Sequence, residues 1–361
     1  MNNKLTSFLD KINIFNMLGM RQDIGIDLGT ATVLIYVKDQ GIVLSEPSVI
    51  ALDKDTGRVH AVGTDAQRMI GRTPSNIVAV RPLRDGVISD YESTEKMLKC
   101  FLRKINFSSL LKPNIVICVP SGVTEVEERA VINVALQSGA GKAYVIEEPI
   151  AAAIGAGVDI SQAEGNMIVD IGGGTTDIAA ISFGGVVASA SLKIAGDKFD
   201  EAIIKFIKKK YNLLIGERTA EDMKTSIGWV FPMPREQDVE YEFKGRNLVN
   251  GMPKMATIRA SELMEALVET ACTIGDAITN VIERTPPELV GDIASNGIIL
   301  TGGGALLNGI DKLITAKTGI RCYVAENPTA CVAMGTGKSL YMLDFVKRSG
   351  SVAFRKNNEN L

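Results

Sequence analysis

A hairpin motif rich in glycine and threonine occurs twice in this chain of 361 residues and constrains its fold more than any other feature. The first copy, IGIDLGTAT, spans residues 24–32, and the second, IVDIGGGTTD, spans residues 168–177. When Asp27 is aligned with Asp170, both copies read as an apolar strand, an Asp, an apolar residue, a Gly, small residues and a Thr. Only small residues allow such a tight turn, which exposes backbone N–H groups. The repeat predicts two related domains whose hairpins face each other and hold the phosphates of a nucleotide in the cleft between them.

The composition indicates a globular protein of more than one domain. The length exceeds that of a typical single core, and 46% of the residues are hydrophobic while 22% are charged. A net charge of −3 argues against a nucleic-acid partner, because such proteins usually carry a basic face. The cysteines are scattered without a CxxC pair, which is typical of reduced thiols in a cytosolic protein. With His60 as the single histidine, a His-rich metal site is excluded, and His60 itself is expected in a turn or on the surface.

The first twenty residues predict an amphipathic helix. Its apolar face comprises Leu5, Phe8, Leu9, Ile12 and Phe15, which recur at helical spacing. The apolar run is too broken for a signal peptide. One interpretation is a helix docked on the protein's own core, and the other is a helix lying in a membrane surface. We favour the membrane, because the segment precedes the first strand and no core position obviously awaits it.

Hydrophobic periodicity and turn residues define the remaining elements. Strands are expected at residues 24–27, 33–37, 42–44, 49–52, 114–119, 144–146, 186–194 and 298–300. Helices are expected at residues 65–70, 91–105, 124–138, 149–156, 199–210 and 261–283, with a capping box formed by Thr124 and Glu127. The pattern amounts to two βββαβα-like halves, and the tail after Arg348 is expected to fray.

Several motifs outside the hairpins identify a family. These are PLRDGVI (residues 82–88), VPSG (119–122), IEEPIAAA (146–153), IGERTAE (215–221), TPPEL (285–289) and TGGG (301–304). Together with the hairpins they resemble the MreB family of bacterial actins, which includes the paralogue Mbl. That family belongs to the superfamily of actin, heat-shock chaperones and sugar kinases. The resemblance covers nearly the whole chain, from about residue 21 to about residue 343.

The resemblance implies an α/β actin-like fold of two domains, each with a mixed β-sheet flanked by helices and a nucleotide cleft between them. The sheets of the larger pair of subdomains would each have five strands. Four subdomains follow an amino-terminal membrane-binding helix at residues 1–20. Their expected bounds are 21–43, 75–153 and 325–361 for IA, 44–74 for IB, 154–189 and 256–324 for IIA, and 190–255 for IIB.

The resemblance also implies a function. Members of the family form ATP-dependent filaments beneath the cell membrane that guide wall synthesis and maintain rod shape. We therefore expect a slow ATPase that is primarily cytoskeletal, located in the cytoplasm and peripherally on the inner face of the membrane. The implied partners are further copies of the chain, the lipid surface, MreC, MreD, RodZ and wall-synthesis enzymes. The implied cofactors are ATP and Mg²⁺, with GTP left open as an alternative nucleotide.

The phosphate and metal site is expected at the two hairpins. Asp27 and Asp170 end facing strands and suit a Mg²⁺ ion that keeps most of its waters, although either residue could instead cap its hairpin. The backbone amides of residues 28–31 and 172–175 would hold the phosphates. The predicted cofactor-binding residues there are Leu28, Gly29, Thr30, Ala31, Thr32, Gly172, Gly173, Gly174 and Thr175.

The water-activating group is expected to be Glu148, since the matching acid does this work in the family. Glu147 is the rival candidate, because it is the neighbouring acid in the sequence. Thr175 would orient the same water or the terminal phosphate. A positioned base of this kind accelerates a reaction by about 10²–10⁴-fold.

The nucleoside is expected to meet a different set of residues. Gly302, Gly303, Gly304 and Ala305 would let the backbone pass close to the adenosine and the α-phosphate. Glu221 and Lys224, one helical turn apart, are expected to contact the ribose and base. The alternative for this second pair is a surface ion pair between residues three apart.

Two further features bear on the resemblance. The family's first hairpin usually reads Gly-Thr-Ala-Asn-Thr, whereas this chain has Thr32 and Val33 at the last two positions, which puts the hairpin's contribution to affinity or hydrolysis in doubt. A short apolar loop at residues 107–113, with Leu110 and Leu111, lies where family members carry a membrane-inserting loop. The alternative is a loop packed on its own domain.

Two other functions remain open on the same fold. A metabolic kinase for a sugar or an acid would need a substrate site with a catalytic Asp in the cleft, and no further motif for one is evident. A chaperone ATPase would need a substrate-binding domain after the core.

Overall fold

The computed structural model describes residues 23–105, 112–343 and 352–356. The predicted amino-terminal helix with Leu5, Phe8, Leu9, Ile12 and Phe15 lies outside these residues, and so do Leu110 and Leu111 of the apolar loop. Among the helices in the described ranges, none combines the length and apolar content that crossing a membrane requires.

The first large sheet is mixed and has six strands in the order β19-β10-β9-β1-β2-β3. In sheet order their bounds are Val352–Lys356, Lys142–Glu147, Asn114–Val119, Ile24–Leu28, Thr32–Val37 and Gly41–Pro47. β1, β2 and β3 form antiparallel hairpins, while β9 runs parallel to both β1 and β10. The expected five strands are wrong for this sheet, which has six. The expectation that the tail after Arg348 frays is wrong for residues 352–356, which form β19. The reason is that β19 pairs antiparallel with β10 through backbone hydrogen bonds.

The second large sheet repeats this topology with five strands in the order β13-β12-β11-β17-β18. In sheet order their bounds are Gly185–Leu192, Thr176–Ser182, Asn166–Ile171, Ile298–Thr301 and Cys322–Val324. β11, β12 and β13 are antiparallel, and β17 runs parallel to both β11 and β18. The prediction of two related halves is therefore confirmed at the level of strand order and direction.

Three small sheets extend from this frame. One has the order β5-β4-β6, with bounds Val59–Val62, Ile50–Asp53 and Ile77–Val80. Another has the order β14-β15-β16, with bounds Leu213–Leu214, Glu240–Asn247 and Pro253–Arg259. The third pairs β7 (Leu83–Arg84) with β8 (Val87–Ile88). The division into four subdomains with particular borders stays a prediction.

The described part of the chain has ten α-helices, numbered in chain order. They are α1 (Thr64–Met69), α2 (Tyr91–Lys104), α3 (Glu125–Gln137), α4 (Glu148–Gly155), α5 (Gly196–Tyr211), α6 (Glu217–Ile227), α7 (Ala260–Arg284), α8 (Pro287–Asn296), α9 (Ile310–Thr318) and α10 (Cys331–Ser339). Helix α3 begins at the predicted capping box, in which Thr124 and Glu127 satisfy each other's backbone N–H groups. Helices α6, α8, α9 and α10 are absent from the predicted set.

The packing explains why helix α10 is hidden in the sequence. Gly335 and Gly337 lower its helix propensity, but both are needed for close contact. A Cβ atom at Gly335 would collide with the carbonyl oxygen of Ala151 in α4, and one at Gly337 would collide with the ring of Tyr36. Tertiary packing therefore overrides the local signal.

Helices α4 and α10 lie between the two sheets and hold the halves together. A buried cluster around α4 joins Val116 of β9 and Ile168 of β11 to Ala152 and Val332 of the two helices. Each half has its own larger core on the other face of its sheet. This arrangement brings the carboxyl ends of β1 and β11 to the same cleft.

Candidate functional site

A cleft of about 1100 Å³ opens where the two hairpins meet. Nearly all the predicted site residues line it: Asp27, Gly29, Thr30, Ala31, Thr32, Glu148, Asp170, Gly172, Gly173, Gly174, Thr175, Glu221, Lys224, Gly302, Gly303 and Gly304. Leu28 and Ala305 do not belong to the lining, because their side chains are buried in the cores of the first and second halves.

The two hairpins touch each other across the cleft. A Cβ atom placed on Gly173 would lie 2.7 Å from the Cβ of Ala31, and one placed on Gly174 would lie 2.6 Å from Oγ1 of Thr30. Real Cβ atoms do not approach other heavy atoms so closely, so glycine is required at both positions by contact rather than by backbone conformation. The glycine run of the second hairpin is thus fitted to the first.

Residues of the first half fix the first hairpin. Ser48 donates from its hydroxyl to the carbonyl oxygen of Gly29 at 2.5 Å and from its backbone N–H to that of Ala31 at 2.9 Å. The backbone N–H of Gly86 donates to Oγ1 of Thr30 at 3.0 Å. Thr30 is buried, and by accepting this hydrogen bond its hydroxyl helps to fix the position of the hairpin.

The second hairpin is fixed to the start of helix α5. Within the turn, the N–H of Gly172 donates to the carbonyl oxygen of Thr175 at 2.9 Å. The N–H groups of Gly196 and Asp197, at the start of α5, donate to the carbonyl oxygens of Gly172 and Gly173 at 3.1 Å and 2.8 Å. With the hairpin carbonyls engaged in this way, α5 and the hairpin form one unit.

Asp27 and Asp170 lie at the ends of β1 and β11 and face the cleft from opposite halves. Burial raises the pKa of Asp27 to about 6, although a hydrogen bond from Cys118 partly offsets the shift. Burial also raises the pKa of Asp170 to about 7, although a hydrogen bond from Thr301 opposes it. The charge of Asp27 adds to the rise at Asp170. Two facing carboxylates that destabilise each other form a site that a cation would stabilise.

The facing aspartates fit a water-bound Mg²⁺ better than a metal held by many side chains. Among the described residues, no group of three or more His, Cys, Asp or Glu side chains is placed to hold a metal ion directly. Mg²⁺ usually keeps several waters and takes one or two carboxylates together with substrate phosphates. The donor set of the cleft therefore agrees with a metal that Asp27 and Asp170 contact mainly through water.

Glu148 is the acid that enters the cleft, while its rival does not. Glu148 is buried at the start of α4 and lines the cleft. Its pKa is raised well above the ordinary range, first by burial and then by the charges of Asp177, Asp170 and Asp27. Glu147 is absent from the lining and accepts a hydrogen bond from the hydroxyl of Ser121 at 3.0 Å.

Asp177 is a buried acid behind the cleft that the sequence-based reasoning missed, and its charge acts on Glu148. It lies directly opposite Asp170 in the β11–β12 pair and is fully buried. The N–H of Ser121 donates to its Oδ1 at 2.8 Å, and burial raises its pKa to about 6. The available signal was the last residue of the second motif, because residues opposite each other across a hairpin share one face.

Glu221 and Lys224 line the cleft on α6, but they do not form the ion pair considered as an alternative. Instead Nζ of Lys224 donates to Oδ2 of Asp200 at 2.9 Å and to the carbonyl oxygen of Gly196 at 3.0 Å. Both partners of this ion pair are largely buried. Asp200 is a second missed residue, and no local pattern reveals it because the pairing depends on how α5 and α6 pack.

The glycines after β17 pass close to the second hairpin. Gly302 adopts a φ of +79°, which favours glycine. Its N–H donates to the carbonyl oxygen of Pro328 at 2.8 Å. Cβ atoms on Gly302 or Gly304 would collide with Ile171 of the second hairpin. The Cβ of a substituted Gly303 would meet only Thr329, at 3.9 Å.

The departure from the family hairpin proves to be two different changes. Thr32 is half-buried and lines the cleft. Val33 is fully buried in the core of the first half and points away from the cleft. The change at residue 33 therefore removes a hydroxyl from a core position, away from the cleft. The change at residue 32 alters a side chain that lines the cleft.

Comparison with known proteins places the chain in one family. The family model described as "MreB/Mbl protein" matches residues 21–348. The cell shape-determining protein Mbl of Bacillus subtilis is 55% identical over 324 residues, which cover 90% of this chain and 97% of Mbl. The cell shape-determining protein MreB of Escherichia coli is 50% identical over 328 residues, which cover 89% of this chain and 94% of MreB.

A solved structure shows the same fold. The crystal structure of MreB5 of Spiroplasma citri bound to AMPPNP superimposes with a TM-score of 0.86 at 40% sequence identity, and covers 92% of this chain and 99% of MreB5. Both the matched length and the identity exceed what shared fold alone would give. The chain has an actin-like fold and belongs to the MreB/Mbl family.

Proposed function

We propose that this chain is a membrane-associated, actin-like ATPase that polymerises into filaments guiding lateral wall synthesis and maintaining rod shape. The observation that carries the proposal is the contact between the two hairpins, with Asp27 and Asp170 facing each other beside it. Backbone N–H groups in such turns bind anions. A pair of opposed turns suits a polyphosphate held from both sides.

The triphosphate binds between the hairpins, with Gly29 and Ala31 on one side and Gly173 and Gly174 on the other. MreB5, a relative of the same fold, is described as bound to AMPPNP and, in a second crystal structure, to ADP. Asp27 and Asp170 would hold a hydrated Mg²⁺ ion. When bound, this ion neutralises developing charge on the phosphate oxygens.

Glu148 orients and polarises the attacking water, and Thr175 supports the same water or the terminal phosphate. Burial on α4 fixes the Glu148 carboxyl at the cleft, and the neighbouring Asp177 is held by the N–H of Ser121. Burial first, and then the charges of Asp177, Asp170 and Asp27, raise the pKa of Glu148 in the ligand-free chain. Asp27 and Asp170 would hold a divalent cation near Glu148, and its positive charge would favour the carboxylate form that a general base requires.

The second half recognises the nucleoside. Gly302, Gly303 and Gly304 allow the backbone to approach the adenosine, while Glu221 and Lys224 contact the ribose and base from α6. Lys224 is held in place by Asp200. ATP is the proposed nucleotide, and competition between ATP and GTP for the cleft decides the preference.

The cytoskeletal part of the proposal is supported by the relatives, which are named cell shape-determining proteins. Head-to-tail contacts between copies would be heterologous and would not close, so that subunits add into filaments. The helix with Leu5, Phe8, Leu9, Ile12 and Phe15 would bind the inner face of the membrane, with Leu110 and Leu111 as a second contact. MreC, MreD, RodZ and wall-synthesis enzymes are the proposed further partners.

The polymerisation test is sedimentation of the full-length chain with Mg-ATP, followed by electron microscopy on liposomes. The proposal predicts nucleotide-dependent filaments on the lipid surface. Absence of filaments together with a phosphorylated sugar or acid as product would instead establish the metabolic kinase.

The membrane test uses a double variant, Phe8→Glu with Ile12→Glu, which places two charges on the apolar face. Its matched control is Asn13→Glu, which adds a charge to the polar face. The double variant is expected to lose liposome binding while the control retains it. Equal binding by both would refute the helix as the main anchor.

A further inference from the structure

A hydrogen-bond donor reaches each of the facing aspartates from the neighbouring parallel strand. In the first half, Sγ of Cys118 on β9 donates to Oδ1 of Asp27 at 3.5 Å. In the second half, Oγ1 of Thr301 on β17 donates to Oδ1 of Asp170 at 2.6 Å. Both donors are buried, with relative exposures of 3% for Cys118 and 0% for Thr301.

The two donors occupy equivalent positions in the repeated topology. β17 pairs with β11 so that Thr301 lies opposite Asp170. β9 pairs with β1 so that Ile117 lies opposite Ile26, and the next residues along these strands are Cys118 and Asp27. β9 and β17 are also the equivalent strands of the two sheets. Each half therefore places a hydrogen-bond donor beside its aspartate, a thiol in the first half and a hydroxyl in the second.

We propose that Cys118 and Thr301 are matched positioning residues that orient Asp27 and Asp170 toward a hydrated Mg²⁺, an inference that rests on the proposed function. Each donor occupies Oδ1 and restricts the carboxylate rotamer, which leaves the second oxygen to accept from a metal-bound water. Partners that hydrogen-bond to metal-binding carboxylates typically change metal affinity by about 10–100-fold when they are removed.

The two donors differ in strength, which makes the proposal specific. A hydroxyl is a good donor, whereas a thiol is a weak one. Removing the Thr301 donor is therefore expected to weaken the Mg²⁺ site more than removing the Cys118 donor.

The test measures the Mg²⁺ concentration that half-saturates AMPPNP binding to the full-length chain by calorimetry, with AMPPNP affinity in EDTA as a second readout. Thr301→Val keeps the shape of the side chain but removes the donor, and Thr301→Ser restores it. The half-saturating concentration is expected to rise about 10–100-fold in Thr301→Val. The half-saturating Mg²⁺ concentration of Thr301→Ser should stay near that of the wild type. The affinity for AMPPNP in EDTA should be unchanged in both variants.

Cys118→Ala and Cys118→Ser form the matched pair at the other aspartate. The alanine variant is expected to raise the half-saturating Mg²⁺ concentration by a few-fold, while serine keeps it at or below the wild-type value because a hydroxyl donates more strongly. Should Thr301→Val fail to fold, this pair decides the matter. Equal values for alanine and serine would then overturn the inference.

The outcomes separate this inference from the proposed function. If the wild type shows Mg²⁺-dependent AMPPNP binding and all the donor-free variants match it, the positioning role is wrong while the nucleotide site stands. If the wild type binds no AMPPNP with or without Mg²⁺, the proposed function fails and this inference fails with it.

Discussion

The two hairpins of the cleft share one backbone plan but differ in what lies opposite the aspartate. In the first hairpin, Asp27 pairs across the strands with Leu34, whereas in the second, Asp170 pairs with Asp177. Residues opposite each other in a hairpin share one face. The second half therefore pairs the cleft-lining Asp170 with a second, fully buried carboxyl, whereas the first half pairs Asp27 with an apolar side chain. The two halves therefore share the turn that we propose binds phosphate, while the residues opposite its aspartate differ.

The supports of the hairpins differ in the same way. The first is held by Ser48 and Gly86 within its own half. The second is held by the start of α5, the helix whose Asp200 pairs with Lys224 of α6. Under the proposed function, the second hairpin links phosphate and nucleoside binding, while the first hairpin is anchored separately. The predictions that follow test this division of roles.

Loss of the Glu148 carboxyl should have the largest effect. Glu148→Ala is expected to slow ATP hydrolysis by about 10²–10⁴-fold, because a positioned base contributes that much. Nucleotide binding should persist, since the hairpins are unchanged. Steady-state phosphate release and AMPPNP titration measure the two properties. Glu147→Ala is the control and should hydrolyse ATP within about tenfold of the wild type, and the reverse pattern would assign the role to Glu147.

The unequal acids should also give the ligand-free chain an unusual pH dependence. The pKa of Asp170 rises from its ordinary value of 3.8 to about 7 on folding. The folded chain therefore binds more protons than the unfolded chain between these pH values, and the free energy of unfolding falls as the pH rises. Asp170→Asn should remove the share of this slope that Asp170 contributes and stabilise the ligand-free chain above pH 7 by at most roughly 4 kcal/mol. The rest of the slope should remain, because burial also raises the pKa values of Asp27, Asp177 and Glu148.

Chemical denaturation in EDTA across this pH range measures the slope. Asp222→Asn, an exposed site on α6, is the control and should leave the slope unchanged. A wild type whose stability rises with pH through this window would contradict the buried, proton-binding state of Asp170.

Contact between the hairpins should be sensitive to a single methyl group. In Gly174→Ala the new Cβ would lie 2.6 Å from Oγ1 of Thr30 and 3.0 Å from the backbone nitrogen of Asp85, so the hairpins must separate. Overpacking of this kind costs about 1–3 kcal/mol, which corresponds to roughly 10–100-fold in AMPPNP affinity. Gly291→Ala is the matched control, because a Cβ there meets nothing within 4 Å. Equal affinities would show that the hairpins need not touch.

Local signals predicted the frame well. Strand β9 was placed at its observed bounds, Asn114–Val119, and the capping box at Thr124 correctly marked the start of α3. Helix α10 was missed because Gly335 and Gly337 serve close contacts with α4 and with Tyr36 that no local pattern reveals. In the site, the repeat indicated Asp27 and Asp170 directly. The ion pair of Lys224 with Asp200 depends on the packing of two helices and was beyond reach.

Changes at residues 32 and 33 should have the smallest effects and should separate from each other. Val33→Thr places a hydroxyl in the core of the first half and is expected to destabilise the chain by about 1–3 kcal/mol with unchanged AMPPNP affinity. Thr32→Asn changes a cleft residue and should alter AMPPNP affinity by less than about tenfold, with little change in stability. Thermal unfolding and calorimetry on both variants provide the comparison, and an affinity change in Val33→Thr would mean that residue 33 reaches the ligand.

A crystal structure of this chain with AMPPNP and Mg²⁺ tests the central claim most directly. The account predicts one nucleotide per chain, with its phosphates contacting residues 29–31 and 172–175 together and the hydrated metal between Asp27 and Asp170. A nucleotide whose phosphates contact one hairpin only, or that binds outside the cleft, would contradict it.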